Sequence, residues 1–278
     1  MENIESESKF FWKLFKDLLL LPITLILVIF KKKRFDDLVH PFKDLLKFIF
    51  EPKVTITLVI INIVIYFTVS ILYSMGVINN IFINSYLINT TDHFLNFRIV
   101  PIVGSWFFHA SLLHLFSNML FLFILGRVVE REVGPGKTLA IYFGAAIIST
   151  ILDNVIHISI IPVSEYASLG ASGAISGLGG AALLLNPFYF TYLVLGIPLP
   201  IIAVVFLQIY SDITGIFNPT DNIGHIAHLG GYLSVAITLY ALGEKEKMKK
   251  GMLICLSTIA IFILIYFLFR KYFNGLVI

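Results

Sequence analysis

The chain has 278 residues, of which 58% are hydrophobic and only 13% charged, with a formal net charge of +3; average soluble domains carry about 25% charged residues. One soluble core cannot enclose that much apolar surface, and the basic residues flank apolar segments instead of forming the stripe that a nucleic acid needs, so a soluble globular domain and a nucleic-acid-binding protein are both excluded. A lone cysteine, Cys255, rules out a disulfide framework.

Residues 1–9 are acidic and polar, and the apolar run from Leu18 to Phe30 is interrupted by Pro22. A spanning helix needs roughly 20 apolar residues, so residues 10–30 read as an interfacial helix. The acidic start, the interrupting lysines and the missing small-residue cleavage site argue against a signal peptide. Lys31-Lys32-Lys33-Arg34 then anchors the region to the cytoplasmic face. In the stretch Phe42 to Phe50, Leu45, Leu46 and Ile49 lie opposite Lys43, Asp44 and Lys47, as a second surface helix would place them. Residues 1–53 are therefore read as a cytoplasmic and interfacial N-terminal region.

Spanning segments follow at about 54–75, 107–126, 138–157, 169–186, 188–211, 224–242 and 251–269. With the N-terminus cytoplasmic, the inside segments hold ten basic residues before 54, three in 127–137 and four in 243–250. The outside loops at 76–106, 158–168 and 212–223 hold only Arg98, and Arg270 and Lys271 follow the last segment. This asymmetry sets the orientation of a multi-pass protein of the cell membrane. The fold class is all-α, a polytopic membrane helical bundle: a six-helix core over 54–242, then a basic linker and a seventh helix over 243–278.

The tract Leu169-Gly170-Ala171-Ser172-Gly173-Ala174 sets one hydroxyl among residues with almost no side chain. Small residues at 170, 173, 177 and 180 recur at helical spacing, which by itself signals close packing of membrane helices. The tract also differs from the nucleophile elbow of soluble hydrolases, since glycine follows Ser172 directly. Position changes the balance. Counted from the outer ends of their segments, Ser172 lies ~5 Å and His228 ~6 Å deep, on the same side of the membrane. Five of the seven histidines (His109, His114, His157, His225 and His228) fall in outer halves of helices, and an ionisable residue at membrane depth is a functional-site hypothesis by default. A neutral imidazole is the commonest base for a serine hydroxyl. Gly173 and Gly231 remove the bulk that would keep the two helices apart. His114 and Asn118, four apart and so on one helical face, can both donate to a developing oxyanion, but counted from Trp106 they lie roughly 12 and 18 Å deep, below the serine.

These residues resemble the rhomboid intramembrane serine proteases over roughly 54–242. The resemblance rests on Phe108-His109-Ala110-Ser111-Leu112-Leu113-His114-Leu115-Phe116-Ser117-Asn118-Met119, on Gly126 with Glu130 and Gly134, on Gly170-Ala171-Ser172-Gly173, and on Ala227-His228-Leu229-Gly230-Gly231. It implies Ser172 as nucleophile, His228 as base, and His114, Asn118 and the Ser172 backbone N–H as the oxyanion hole, in a dyad that seeks no third carboxylate. His109, Gly170, Gly173 and Gly231 are supporting residues. Three features depart from the family pattern. Ser176 stands where an aromatic residue usually stacks on the base, so His228 has to be held differently. Phe97-Arg98 lies about three residues further from His109 than the usual aromatic-Arg pair. Val235 replaces a small residue one turn below Gly231.

Glu130, with Arg127 and Arg131, is expected to fix the inner loop through hydrogen bonds and lipid headgroups. Asp153 is expected to pair with His157 or a neighbouring helix, apart from the chemistry. No metal or cofactor is implied, because the histidines lack the carboxylate or thiolate companions that zinc sites recruit. The expected partners are single-span transmembrane protein substrates and membrane lipids, with no nucleic acid; the oligomeric state stays open. Two other readings compete. An inactive rhomboid-like chaperone lacks the serine or the histidine, and both are present. A transporter is disfavoured because no inverted repeat or paired broken helices appear.

Overall fold

The computed structural model describes residues 7–160, 166–191, 198–216 and 223–273. Three helices, α1 (Glu7–Leu19), α2 (Leu21–Ile29) and α3 (Asp36–Phe50), precede the first long one. The single interfacial helix expected over 10–30 is thus two, with Pro22 in the first turn of α2, where a missing N–H breaks no helical bond. α3 starts earlier than its apolar pattern, with Asp36 and Asp37 in the first turn complementing the helix dipole. α1 lies on α3, the Phe10 and Phe48 rings stacking at 4.9 Å and Lys13 pairing with Asp44 at 3.0 Å.

The chain continues through α4 (Lys53–Ser74), α5 (Asn80–Tyr86), β1 (Asn89–Thr90), α6 (Thr91–Leu95), α7 (Ile99–Ser105), α8 (Leu112–Val133), α9 (Pro135–Ser159), β2 (Ala167–Ser168), α10 (Ser172–Leu185), β3 (Phe190–Thr191), β4 (Leu199–Pro200), α11 (Ile201–Gly215), α12 (His225–Ala241) and α13 (Lys245–Phe273). The two-residue strands form antiparallel clips, β1 with β2 (Asn89 opposite Ser168) and β3 with β4. By length and composition α4, α8, α9 and α13 can each cross a membrane. α10, α11 and α12 have 14, 15 and 17 residues, hence ~21–26 Å, shorter than a hydrocarbon core of about 30 Å. The molecule is a helical bundle and an integral, multi-pass membrane protein.

Four boundaries, two on each of two helices, differ from those expected in ways that matter. The second spanning helix begins at Leu112, not near 107, because Ser111 is extended (φ −151°) and its Oγ accepts the His114 N–H at 3.1 Å as an N-cap. It runs on to Val133, so the inner loop expected at 127–137 contracts to Gly134, whose φ of +81° turns the chain directly into Pro135. The fifth helix starts at Ile201 and extends past 211 to Gly215; residues 192–197 of the expected segment lie outside the described residues.

Arg127 and Glu130 therefore face protein, not lipid headgroups. Arg127 is 1% exposed, lies over the Phe48 ring at 3.5 Å and donates to Glu51 at 2.6 Å. Glu130 accepts the N–H groups of Val54 and Thr55 at 3.0 and 2.9 Å, and the Thr55 hydroxyl at 2.8 Å. It thereby satisfies the free donors at the start of α4, and charge-assisted bonds of this kind outweigh neutral ones. At the centre of the bundle α10 packs against α8, α9, α11, α12 and α13. Every residue from Gly173 to Leu183 is buried. The small side chains of α10 set this geometry, since only they let so many helices approach one axis.

Candidate active site

Ser172 is the first residue of α10. Gly170 ahead of it holds φ at +109°, a conformation that L side chains rarely adopt, and its N–H donates to Ser105 O at 2.7 Å, which ties the turn to the end of α7. The first bond of the helix runs from Ile175 N to Ala171 O at 3.0 Å. The N–H groups of Ser172, Gly173 and Ala174 precede it and stay available to an anion at the positive end of the helix. Ser172 is half-buried, and among the described residues its Oγ has no hydrogen-bond partner. Catalytic contacts of this kind commonly tighten only when substrate binds.

The start of α8 faces this turn. A Cβ built on Gly170 would stand 2.9 Å from both Cε1 and Nε2 of His114 and 3.9 Å from Asn118 Nδ2. The apparent depth mismatch shrinks with the corrected boundaries: counted from Leu112, His114 and Asn118 lie ~3 and ~9 Å along α8, while Ser172 is the first residue of α10. Asn118 Nδ2 donates to His114 O at 3.0 Å, leaving its second amide hydrogen free. Behind them His109 is 1% exposed, packs edge-on against the His114 ring at 5.0 Å, and approaches Phe107 O through Nδ1 at 3.2 Å. Burial, reinforced by the charge of His114, pulls His109 down to about 4, so it stands there as a neutral ring.

α12 closes the site from the other side. A Cβ on Gly231 would meet Ser176 Cβ at 2.9 Å and Gly177 N at 3.0 Å, and one on Gly173 would lie 3.5 Å from Ala227 O. The turn that carries His228 is thus seated within one turn of Ser172. The His228 side chain is 16% exposed and that of His225 6%. His225 is turned toward Gly215 on α11, where a Cβ would stand 2.7 Å from its Cδ2.

The sequence reading missed Asp212. It is buried on α11, and one of its oxygens, Oδ1, lies 2.7 Å from His228 Nδ1 and 2.9 Å from His225 Nδ1. The histidines therefore do have a carboxylate companion, and the ground on which a metal seemed unneeded does not hold. Asp212, His225 and His228 each offer a ligand atom within 4.8 Å of the others. The spacing is that of N–H···O bonds, however: two donors on one tetrahedral zinc, each at about 2.0–2.1 Å, lie roughly 3.3 Å apart. The residue was legible, since a lone carboxylate next to an apolar run is a signal in its own right. Ending the fifth segment at 211 put it in a loop.

Asp153 belongs to a separate cluster. Tyr166 donates to its Oδ2 at 2.6 Å, and His157 stacks on the Tyr166 ring at 3.5 Å while approaching the Asp153 carbonyl at 2.8 Å. Burial first, and then the Asp153 charge, hold Tyr166 protonated well above the ordinary tyrosine value. The cluster sits beside β2, the strand that leads into Gly170.

The Rhomboid domain model matches residues 96–245, more than half of the chain and all of the elements just described. The chain belongs to the rhomboid family. It is 29% identical over 166 residues to RHOMBOID-like protein 12, mitochondrial, of Arabidopsis thaliana, covering 55% of this chain and 49% of that one. Over 142 residues it is 36% identical to Rhomboid protease GluP of Bacillus subtilis, covering 50% and 25%. With Rhomboid protease AarA of Providencia stuartii the identity is 28% over 224 residues, covering 66% and 72%. The chain thus spans about half, a quarter and nearly three quarters of the lengths of these relatives.

Proposed function

We propose that this rhomboid is an intramembrane serine endopeptidase that cleaves single-span transmembrane proteins near the outer membrane face. One observation carries the reading: the backbone of the Gly170 turn lies directly against His114 and Asn118, while α12 brings His228 to the same end of α10. A hydroxyl, an imidazole, two side-chain donors and the N–H groups of a helix start are thus gathered at one end of α10, and acyl transfer uses this set of groups. Two relatives bear protease names, which supports the same chemistry.

In this mechanism His228 takes the Ser172 proton as Oγ bonds to the scissile carbonyl carbon. The carbonyl oxygen becomes an oxyanion held by His114, Asn118 and the Ser172 N–H. The C–N bond then breaks, the proton passes from His228 to the leaving amine, and a water deprotonated by the same imidazole hydrolyses the acyl-enzyme. A substrate helix has to unwind at the scissile bond first, because its peptide carbonyls are shielded inside the helix. The catalytic unit is the six-helix core, 54–242, with the N-terminus cytoplasmic. The inactive-chaperone alternative predicts binding without cleavage. Incubating the purified protein with a single-span model substrate in detergent tests the reading: Ser172→Ala should abolish cleavage while keeping the fold, and equal cleavage by wild type and variant would refute it.

A further inference from the structure

We propose that Asp212 is the positioning residue of the catalytic base, so that Ser172, His228 and Asp212 act as a triad in place of the dyad that the motifs alone suggest. This rests on the reading of Ser172 as nucleophile and His228 as base.

His228 lacks the aromatic partner that the family pattern places at position 176. Ser176 cannot stack on His228, so something else has to fix the ring. Asp212 Oδ1 does so from the far side at 2.7 Å. A carboxylate only accepts hydrogen bonds, so this contact puts the imidazole proton on Nδ1 and leaves the Nε2 lone pair free. Nε2 is then the one atom of His228 that can take the Ser172 proton. With the opposite tautomer the ring would present an N–H to the serine and could not act as its base.

Charge gives the second part. When His228 becomes an imidazolium it does so in a largely buried position, where an uncompensated charge is costly. Asp212, 5% exposed, lies beside the ring and carries the opposite charge. No proton passes to Asp212 in this step. The stabilisation is greatest in the transition state, when the ring is charged, and small in the resting enzyme, when it is neutral.

The carboxylate is itself held. His225 Nδ1 reaches the same oxygen at 2.9 Å, and the two rings stand 85° apart in plane, with centroids 6.2 Å apart. Tyr232, one turn after His228 on α12, lays its ring against α10, where a Cβ on Gly179 would stand 3.5 Å from its Cε1. His225 falls into place as a second support of the carboxylate, which explains why two histidines three residues apart carry different tasks.

The test uses the full chain in detergent, with a single-span model substrate and a fluorophosphonate probe of activated serine. Asp212→Asn keeps the side chain's size but loses the obligate acceptor. The expected result is a fall in kcat, and in probe labelling rate, of about 10²–10⁴-fold, with KM within about twofold and an unchanged thermal midpoint. Proton spectra of the ¹⁵N-histidine-labelled Ser172→Ala protein should show two downfield Nδ1–H resonances, both lost on adding Asp212→Asn. This readout stands even if Asp212→Asn alone is poorly folded, because absence of the resonances from the Ser172→Ala protein overturns the proposal. So does an Asp212→Asn variant with wild-type kcat, and so does one bound zinc per chain whose removal by a chelator abolishes activity, which would make the trio a cation site. Failure of the protease reading looks different: wild type itself would then neither cleave nor label.

Discussion

Replacing Gly231 by alanine isolates the role of helix approach, because it adds one methyl group and no chemistry. The methyl carbon would stand 2.9 Å from Ser176 Cβ and 3.0 Å from Gly177 N, and closer still to the Gly173 carbonyl oxygen. Carbon atoms in ordinary contact lie about 3.5–4.0 Å apart, so α12 has to retreat from α10 by roughly 0.5–1 Å. Two of the three obstructing groups are backbone atoms of a helix packed on five others, and they cannot step aside. Overpacking of this kind costs about 1–3 kcal/mol. The same retreat carries His228 away from Ser172, and a misplacement of about 1 Å at a reacting centre costs ~10²-fold in rate. The expected result is therefore a lowered thermal midpoint in detergent together with a loss of about 10²-fold in fluorophosphonate labelling of Ser172. Gly136→Ala is the control, since a Cβ there meets nothing within 4 Å. Wild-type labelling and an unshifted midpoint in Gly231→Ala would show that the α10–α12 contact does not set the distance between nucleophile and base.

His114→Ala and Asn118→Ala should each lower kcat by about 10²–10³-fold if each supplies one oxyanion donor, measured as turnover of the model substrate; unchanged turnover in both would assign them to packing. Glu244, in the turn between α12 and α13, is held below the usual carboxylate range first by its hydrogen bond from Lys137 and further by Lys247. A carboxylate depressed in the folded state adds stability above its unfolded value and loses it as pH falls through the folded one. Wild type should thus lose thermal stability below about pH 4.5 more steeply than Lys137→Met, and be the more stable of the two at neutral pH; parallel profiles would refute the assignment.

How far the fold could be read depended on what each segment's signal was. α4 and α13 are long and apolar, and hydropathy located both. α8 is different: its first apolar residues, Phe107 and Phe108, belong to the turn before it, and the N-cap Ser111, not hydropathy, fixes where it starts. That displacement of one to two turns produced the apparent depth conflict between His114, Asn118 and Ser172. Arg127, Glu130 and Arg131 signalled an inner loop because charges normally lie outside the hydrocarbon, yet here they bond the end of α3, the start of α4 and Tyr189, just before β3, to the end of α8. The inside charge bias was therefore read in part from residues that face protein.

The same contrast governs the candidate site. Ser172, His228, His114 and Asn118 were found because each sits in a short motif whose spacing carries its chemistry. Asp212 sits in no motif and lies 16 residues before His228 on another helix, so only the packing of α11 against α12 joins them. One sequence feature did point to it. With Ser176 in place of an aromatic ring, His228 lacks the support that the family pattern provides, and on the proposed mechanism a buried imidazole that has to gain and lose a proton needs a replacement. The replacement had to be an acceptor for Nδ1 and had to come from a neighbouring helix; in the outer part of α11 Asp212 is the only carboxylate. A departure from a motif is thus as informative as the motif: it states which contact the rest of the fold has to supply, and by its chemistry restricts which residue can supply it.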